Sequence, residues 1–272
     1  MSELFGFDAF SPKEIARKVE DIGVAKARLP IRSMLMLGIL AGAFIGLGAL
    51  YYVIIRSDAS LGSAFKQILG GMAFAMGLVL VTVAGAELFT GNNLLVMAWA
   101  DRKISTYELV RSWVVVCVGN LIGAVGLAVL VFLAHHADVN DGLVGQEYLR
   151  IAALKVTMPF WTAFFRGVLC NALVCLAVWM ALAGRSVVDK VVAIVIPVSA
   201  FVAAGFEHSV ANMYLIPMAM LLQEASGAGS QVAITWQGFL HNLFPVLLGN
   251  LLGGSMLVGL VYYLIYGSKP GR

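Results

Sequence analysis

Two octets of one pattern lie deep inside long apolar stretches of this chain: Gly85-Ala86-Glu87-Leu88-Phe89-Thr90-Gly91-Asn92 and Gly205-Phe206-Glu207-His208-Ser209-Val210-Ala211-Asn212. Both read G-x-E-x-x-x-x-N. A carboxylate at bilayer depth is costly and marks a functional site by default, and the second octet sets a histidine beside it. Glycine, asparagine and charge in mid-span predict a helix that breaks. Non-helical backbone at that depth survives only where protein buries it or where it lines a cavity. The octets therefore predict two broken spans facing each other across a pore.

The surroundings agree with that reading. Apolar residues make up 61% of the chain and charged ones 12%, against roughly 25% charged in a soluble domain. Six apolar segments, at about 33–55, 67–99, 107–134, 160–183, 188–222 and 236–266, are long enough to cross a bilayer, which takes about 20 residues. The second and fifth exceed one span, and they carry the octets. The sequence predicts an all-α polytopic membrane protein embedded in a lipid bilayer. Basic residues are scattered with no nucleic-acid-binding signature, so no nucleic acid partner is expected. Cys117, Cys170 and Cys175 sit in apolar runs and read as packing thiols rather than a disulfide framework. No metal site and no cofactor is expected. The first apolar run is too long for a signal-peptide core and has no small-residue cleavage site after it.

Residues 1–32 stay outside the membrane in this reading. Ser11-Pro12-Lys13-Glu14 has the form of a helix start, with a capping serine, proline at the first position and glutamate closing the box. Ile15, Val19 and Ile22 then recur at helical spacing, opposite Lys13, Arg17 and Lys18. That predicts a short amphipathic helix lying on the membrane surface or against the rest of the protein, more an interface anchor than a plug for a pore. Of the 18 Lys and Arg, thirteen fall on the side of the N-terminus, the second-to-third loop, the fourth-to-fifth loop and the C-terminal 267–272 tail. The positive-inside rule makes that side cytoplasmic. The 134–160 and 222–236 loops then face outward.

The chain also repeats itself. The run from Gly38 to Gly48 matches that from Gly167 to Ala177, a shift of 129 residues. The octets match at a shift of 120, and Gly119-Asn120-Leu121-Ile122-Gly123 matches Gly249-Asn250-Leu251-Leu252-Gly253 at 130. Repeat one covers about 33–134 and repeat two about 160–266. Three spans per repeat is an odd number, so the second repeat inserts inverted. Inverted repeats with matching broken segments point to a pathway at the bilayer midplane. Half-helices that meet there offer N-terminal dipoles and free amide donors, which suit a small anion.

With these residues in view, the chain resembles the formate/nitrite transporter family. The carrying motifs are Gly85-Ala-Glu-Leu-Phe-Thr-Gly91, Cys170-Asn-Ala-Leu-Val-Cys-Leu-Ala-Val-Trp179, Gly205-Phe-Glu-His-Ser-Val-Ala-Asn-Met213 and Gly249-Asn250. The resemblance implies a homopentamer of aquaporin-like six-helix protomers, one pore in each, in a bacterial or archaeal cytoplasmic membrane. It implies as substrate formate, nitrite, hydrosulfide or a related small monovalent anion or its acid. The run from Phe206 to Pro217 looks closer to formate-type members, so formate is the first expectation.

Residue by residue, His208 is expected in the pore, because histidine donates, accepts and changes charge near neutral pH. Thr90 offers a hydroxyl from the other broken span. Glu87 and Glu207 are expected to fix the two breaks by accepting hydrogen bonds, and Asn171 and Asn250 to orient groups along the substrate pathway. By resemblance Lys155 gathers anions at the outer vestibule. Phe74, Leu78, Leu88, Phe89, Phe201 and Val210 are candidates for apolar constrictions, Phe74 and Phe201 by resemblance. An anion crossing such a ring is expected to travel as its neutral acid, with a proton from the His208 region or from water. A membrane-embedded enzyme is the remote alternative. It would need a nucleophile–base pair, and Ser209 and His208 are adjacent residues that point apart on a helix.

Overall fold

The computed structural model describes residues 9–226 and 232–267. Residues 1–8, 227–231 and 268–272 lie outside it. So do the start of the 1–32 segment, the middle of the 222–236 loop and all but Gly267 of the 267–272 tail.

Helix α1 (Pro12–Ala27) begins on the capping box read from the sequence: the Ser11 amide and hydroxyl donate to Glu14, and the Glu14 amide donates back to the Ser11 hydroxyl. Proline follows at the first helical position. The apolar stripe of α1 does not face lipid. Ile15, Ala16 and Val19 are buried against Leu94, Met97, Trp179 and Val258. Glu20, 1% exposed, takes the Lys103 ammonium at 2.6 Å.

Repeat one continues with α2 (Ile31–Ser57) and α3 (Ser63–Leu80). A π-helical turn, Val81–Gly85, leads from α3 into an irregular break. The chain resumes as a 3-10 turn, Gly91–Leu95, and the short α4 (Val96–Ala100), and α5 (Thr106–Leu133) closes the repeat. Repeat two holds α6 (Leu143–Val156), α7 (Phe160–Ala183), α8 (Val187–Ala203), a second break, α9 (Ser209–Ser226) and α10 (Trp236–Leu252). A π-helical stretch, Gly253–Leu260, joins α10 to α11 (Val261–Tyr266). The 134–160 connection is thus mostly helix rather than loop. Its alternation of Lys, Arg, Glu and Gln with apolar residues suits a helix lying on the bundle.

Among the described residues five helical stretches are long and apolar enough to span a membrane: Ile31–Ser57, Ser63–Gly85, Thr106–Leu133, Phe160–Ala183 and Trp236–Tyr266. The sixth crossing segment is the one divided into α8 and α9. The fold is the all-α inverted repeat expected, with its second and fifth crossings broken.

Backbones touch where the repeats are tightest. A Cβ on Gly123 would stand inside the carbonyl of Ile39, and one on Gly253 inside that of Val168. The two sites are equivalent, so α2–α5 and α7–α10 cross on the same small-residue seam. At the breaks, Gly85 (φ +85°) and Gly205 (φ +69°) take the left-handed conformation with open space around them. Glycine is needed there for its backbone and not for room.

Candidate functional site

Each break is held by one asparagine. In repeat one, Asn120 Nδ2 donates to the carbonyls of Gly38 (2.8 Å) and Glu87 (2.9 Å), and its Oδ1 accepts from the Phe89 amide (2.9 Å). In repeat two, Asn250 Nδ2 donates to Gly167 (2.9 Å) and Glu207 (3.0 Å), and its Oδ1 accepts from the Ser209 amide (3.0 Å). The Glu87 amide reaches the Leu37 carbonyl and the Glu207 amide that of Arg166. These bonds re-use backbone groups on both sides of each break, as burial requires.

The two glutamates are fixed by side chains rather than by loop amides. Glu87 accepts from Asn92 Nδ2 (2.7 Å) and pairs with Lys26 Nζ (3.1 Å). Glu207 accepts from Asn212 Nδ2 (2.7 Å) and pairs with Lys155 Nζ through both oxygens, at 2.8 and 2.9 Å. Lys26 and Lys155 are separated by the same 129 residues as the first matched motif. It follows that α1 and α6 are equivalent elements, each delivering a lysine to the broken span of its own repeat. Sequence reasoning had put Lys26 on a peripheral helix and missed its place at the break, along with those of Asn92, Asn120 and Asn212.

Three cavities lie in line. The first, about 510 Å³, is lined by Val19, Ile22, Gly23 and Lys26 of α1 and reaches Leu78, Val81 and Leu88; we refer to it as the α1 mouth. The α6 mouth, about 180 Å³, holds Lys155, Glu207, Arg56, Arg150 and Arg166 and ends on Phe74, Phe201 and His208. Between them is a chamber walled by Ile45, Phe74, Leu78, Leu88, Val174, Val198, Phe201 and His208 that admits no water-sized sphere. Leu78 and Leu88 separate it from the α1 mouth, Phe74 and Phe201 from the α6 mouth. Phe74 and Phe201 meet edge-on at 5.8 Å between centroids, and Phe201 stacks on the His208 ring at 6.0 Å.

His208 is 3% exposed and Thr90 fully buried; Thr90 Oγ1 and His208 Nε2 stand 3.1 Å apart. His208 also precedes α9 directly and caps it, with Nδ1 accepting from the Ala211 amide at 3.1 Å. That bond occupies Nδ1 as an acceptor and places the imidazole proton on Nε2, facing Thr90. No sequence signal pointed to this cap, because histidine is not among the usual capping residues.

Not every expected residue faces the line of cavities. Asn250 is consumed by the break, and Asn171 Nδ2 by the carbonyls of Thr90 and Asn250. Neither lines the three cavities, and nor does Thr90, which reaches the chamber only through His208. Phe89 and Val210 are buried and line none of the three cavities either. Among the described residues no group of three or more His, Cys, Asp or Glu is placed to hold a metal ion.

The sequence profile of the family described as "Formate/nitrite transporter" matches residues 13–264. The chain is 37% identical to "Formate channel FocA" of Escherichia coli (strain K12), covering 96% of this chain and 95% of the relative. It is 40% identical to "Uncharacterized transporter YrhG" of Bacillus subtilis (strain 168), over 95% and 94% of the two chains. Against "Probable formate transporter" of Methanothermobacter thermautotrophicus the identity is 35%, over 94% and 97%. A solved structure titled "Pentameric formate channel with formate bound" superposes with a TM-score of 0.80 at 39% identity, covering 87% of this chain and 97% of that one. Another, "FNT family ion channel", gives 0.82 at 32% identity, over 93% and 98%.

Proposed function

The chain belongs to the formate/nitrite transporter family, and on that footing we propose that it is a membrane channel for a small monovalent anion, formate first. The observation that carries this reading is the dry chamber whose one polar wall residue is His208, backed by Thr90, between two apolar constrictions. The bound formate named for one structural neighbour supports the choice of formate. The word pentameric in the same title supports a homopentamer, and the run of cavities inside a single chain supports a pore in each protomer. The excess of basic residues on the side of α1 supports a cytoplasmic α1 mouth and an outward α6 mouth.

The chamber dictates the form in which the solute crosses. An unpaired ion entering an apolar site costs several kcal/mol or more, so the anion takes up a proton and crosses as its neutral acid. With Nδ1 tied to the Ala211 amide, His208 has only Nε2–H to offer. That group steers the solute as a hydrogen-bond donor, and the proton comes from water at the mouth. Nitrite would follow the same route and hydrosulfide would cross as its own acid.

Flux into liposomes carrying the purified protein tests this, with formate, nitrite and hydrosulfide compared over a pH series. Formate flux should exceed that of empty liposomes and rise with acidity. His208→Leu should lower it at least tenfold, which corresponds to about 1.4 kcal/mol or more on the barrier. His208→Asn keeps a donor and should retain the acid-dependent rise. Flux at the level of empty liposomes, or wild-type flux in His208→Leu, would refute the reading.

A further inference from the structure

The charges at the α6 mouth do not balance. Lys155 and Glu207 neutralise each other. Behind them Glu147, 8% exposed, accepts from two arginines at once: Arg150 through Nε and Nη2, both at 2.6 Å, and Arg56 Nε at 3.2 Å. Arg166 lines the same cavity and has no ion-pair partner among the described residues. Four cations thus share two carboxylates, and two positive charges are left at the entrance of an apolar pore. Self-repulsion at that density is unfavourable unless an anion visits.

The α1 mouth shows that this surplus is not required by the scaffold. Shifting by 129 residues, Lys155 falls on Lys26, but Arg166 falls on Leu37 and Arg150 on Asp21. Leu37 lines the α1 cavity where Arg166 lines the other. Among the described residues the only charged groups on that cavity wall are Lys26 and Glu87, and they are paired.

We propose that Arg150 and Arg166, with Arg56 beside them, form an anion-holding station at the α6 mouth, where a small planar oxyanion is held before it meets Phe74 and Phe201. Guanidinium presents planar, forked N–H donors that match a carboxylate or nitrite in bidentate fashion. Arg56 engages Glu147 only through Nε and Arg150 keeps part of its donors free. A single-centre anion such as hydrosulfide or chloride meets both N–H groups with one atom and less linear bonds, so the station selects by shape as well as charge. It rests on the channel reading for its purpose, but not for its existence.

Two measurements separate these. The first is the melting temperature of the purified protein titrated with sodium formate or sodium chloride. A ligand that binds the folded form raises it. Formate should raise it more than chloride in the wild type, and Arg150→Gln/Arg166→Gln should remove the difference. The second is formate uptake into right-side-out vesicles. Each lost charge should raise the half-saturation concentration roughly fivefold at low salt, and less at high salt where rim charges are screened. Arg166→Leu, which copies the other mouth, should behave as Arg166→Gln. No formate-specific shift in the wild type, or an equal shift in the double variant, overturns the station. Wild-type vesicles that pass no formate refute the channel reading instead, and the melting series still decides the station.

Discussion

Set side by side, the two mouths of this molecule agree in the clamp that holds each break and differ in what faces the cavity. Asn120 and Asn250 make the same three bonds, Glu87 and Glu207 take the same asparagine and lysine, and Gly85 and Gly205 make the same left-handed turn. At the repeat's shift of 120, however, His208 falls on Leu88, Thr90 on Val210 and Phe201 on Val81. Leaving a helix at bilayer depth poses one physical problem, the satisfaction of freed amides and carbonyls. Both halves solve it alike. Handling a solute poses a different problem, and there the halves diverge.

The comparison breaks first at the clamps. Asn120→Ala and Asn250→Ala each leave an amide and two carbonyls without their partner, at about 1–3 kcal/mol per buried orphan. Both variants should lose several kcal/mol and fall by similar amounts in thermal unfolding. If one melts like wild type while the other fails to assemble, the halves are not mechanically equivalent. The lysines sharpen the comparison. Lys155→Ala strands a buried carboxylate, a loss that reaches about 3–5 kcal/mol for fully buried pairs. Lys26→Ala should cost less, since the Lys26 side chain is 29% exposed and that of Lys155 14%. Adding Glu87→Gln should restore part of the Lys26→Ala loss, and chemical denaturation reads both.

The smallest expected effect concerns the starts of α1 and α6. Ser11, through its hydroxyl and then its amide, holds the Glu14 carboxyl below its ordinary value of 4.5. A depressed carboxyl contributes stability above that value, lost as pH falls through the lower folded one. Hydrogen exchange at the first turn of α1 should therefore lose protection on acidification below about 4.5, corrected for the intrinsic rate. The start of α6 has Gly142 and no side-chain cap, and should not respond. Equal responses would remove the distinction.

How much of this was legible depended on the cost of the residue concerned. Glu87 and Glu207 stand out because a carboxylate in an apolar run needs a reason, and the breaks follow from them. His208 and Thr90 could be paired across the repeats because both lie in the octets. The equivalence of α1 and α6 could not be read. Lys18 stands opposite Glu147 and Asp21 opposite Arg150, so apart from the lysine the polar sequence carries no likeness. The role of Asn250 was half visible. Its motif repeats, but which carbonyls it holds depends on how α7 and α10 cross. Phe89 and Val210 look like constriction residues in a string of apolar letters, and only the packed fold shows that neither lines the cavities.

One bond also fixes what kind of motion the molecule permits. His208 belongs to repeat two and Thr90 to repeat one, and Asn171 and Asn93 cross the same seam to reach Thr90 and Asn250. A carrier that rocks one repeat against the other would have to unfasten all of these on every cycle. On the proposed channel reading the seam would stay shut, and what would yield to a passing solute is the rotamer of a leucine or phenylalanine side chain. Turnover is then limited by side-chain jumps of nanoseconds and the price of shedding water, as in a standing aperture, rather than by domain movement.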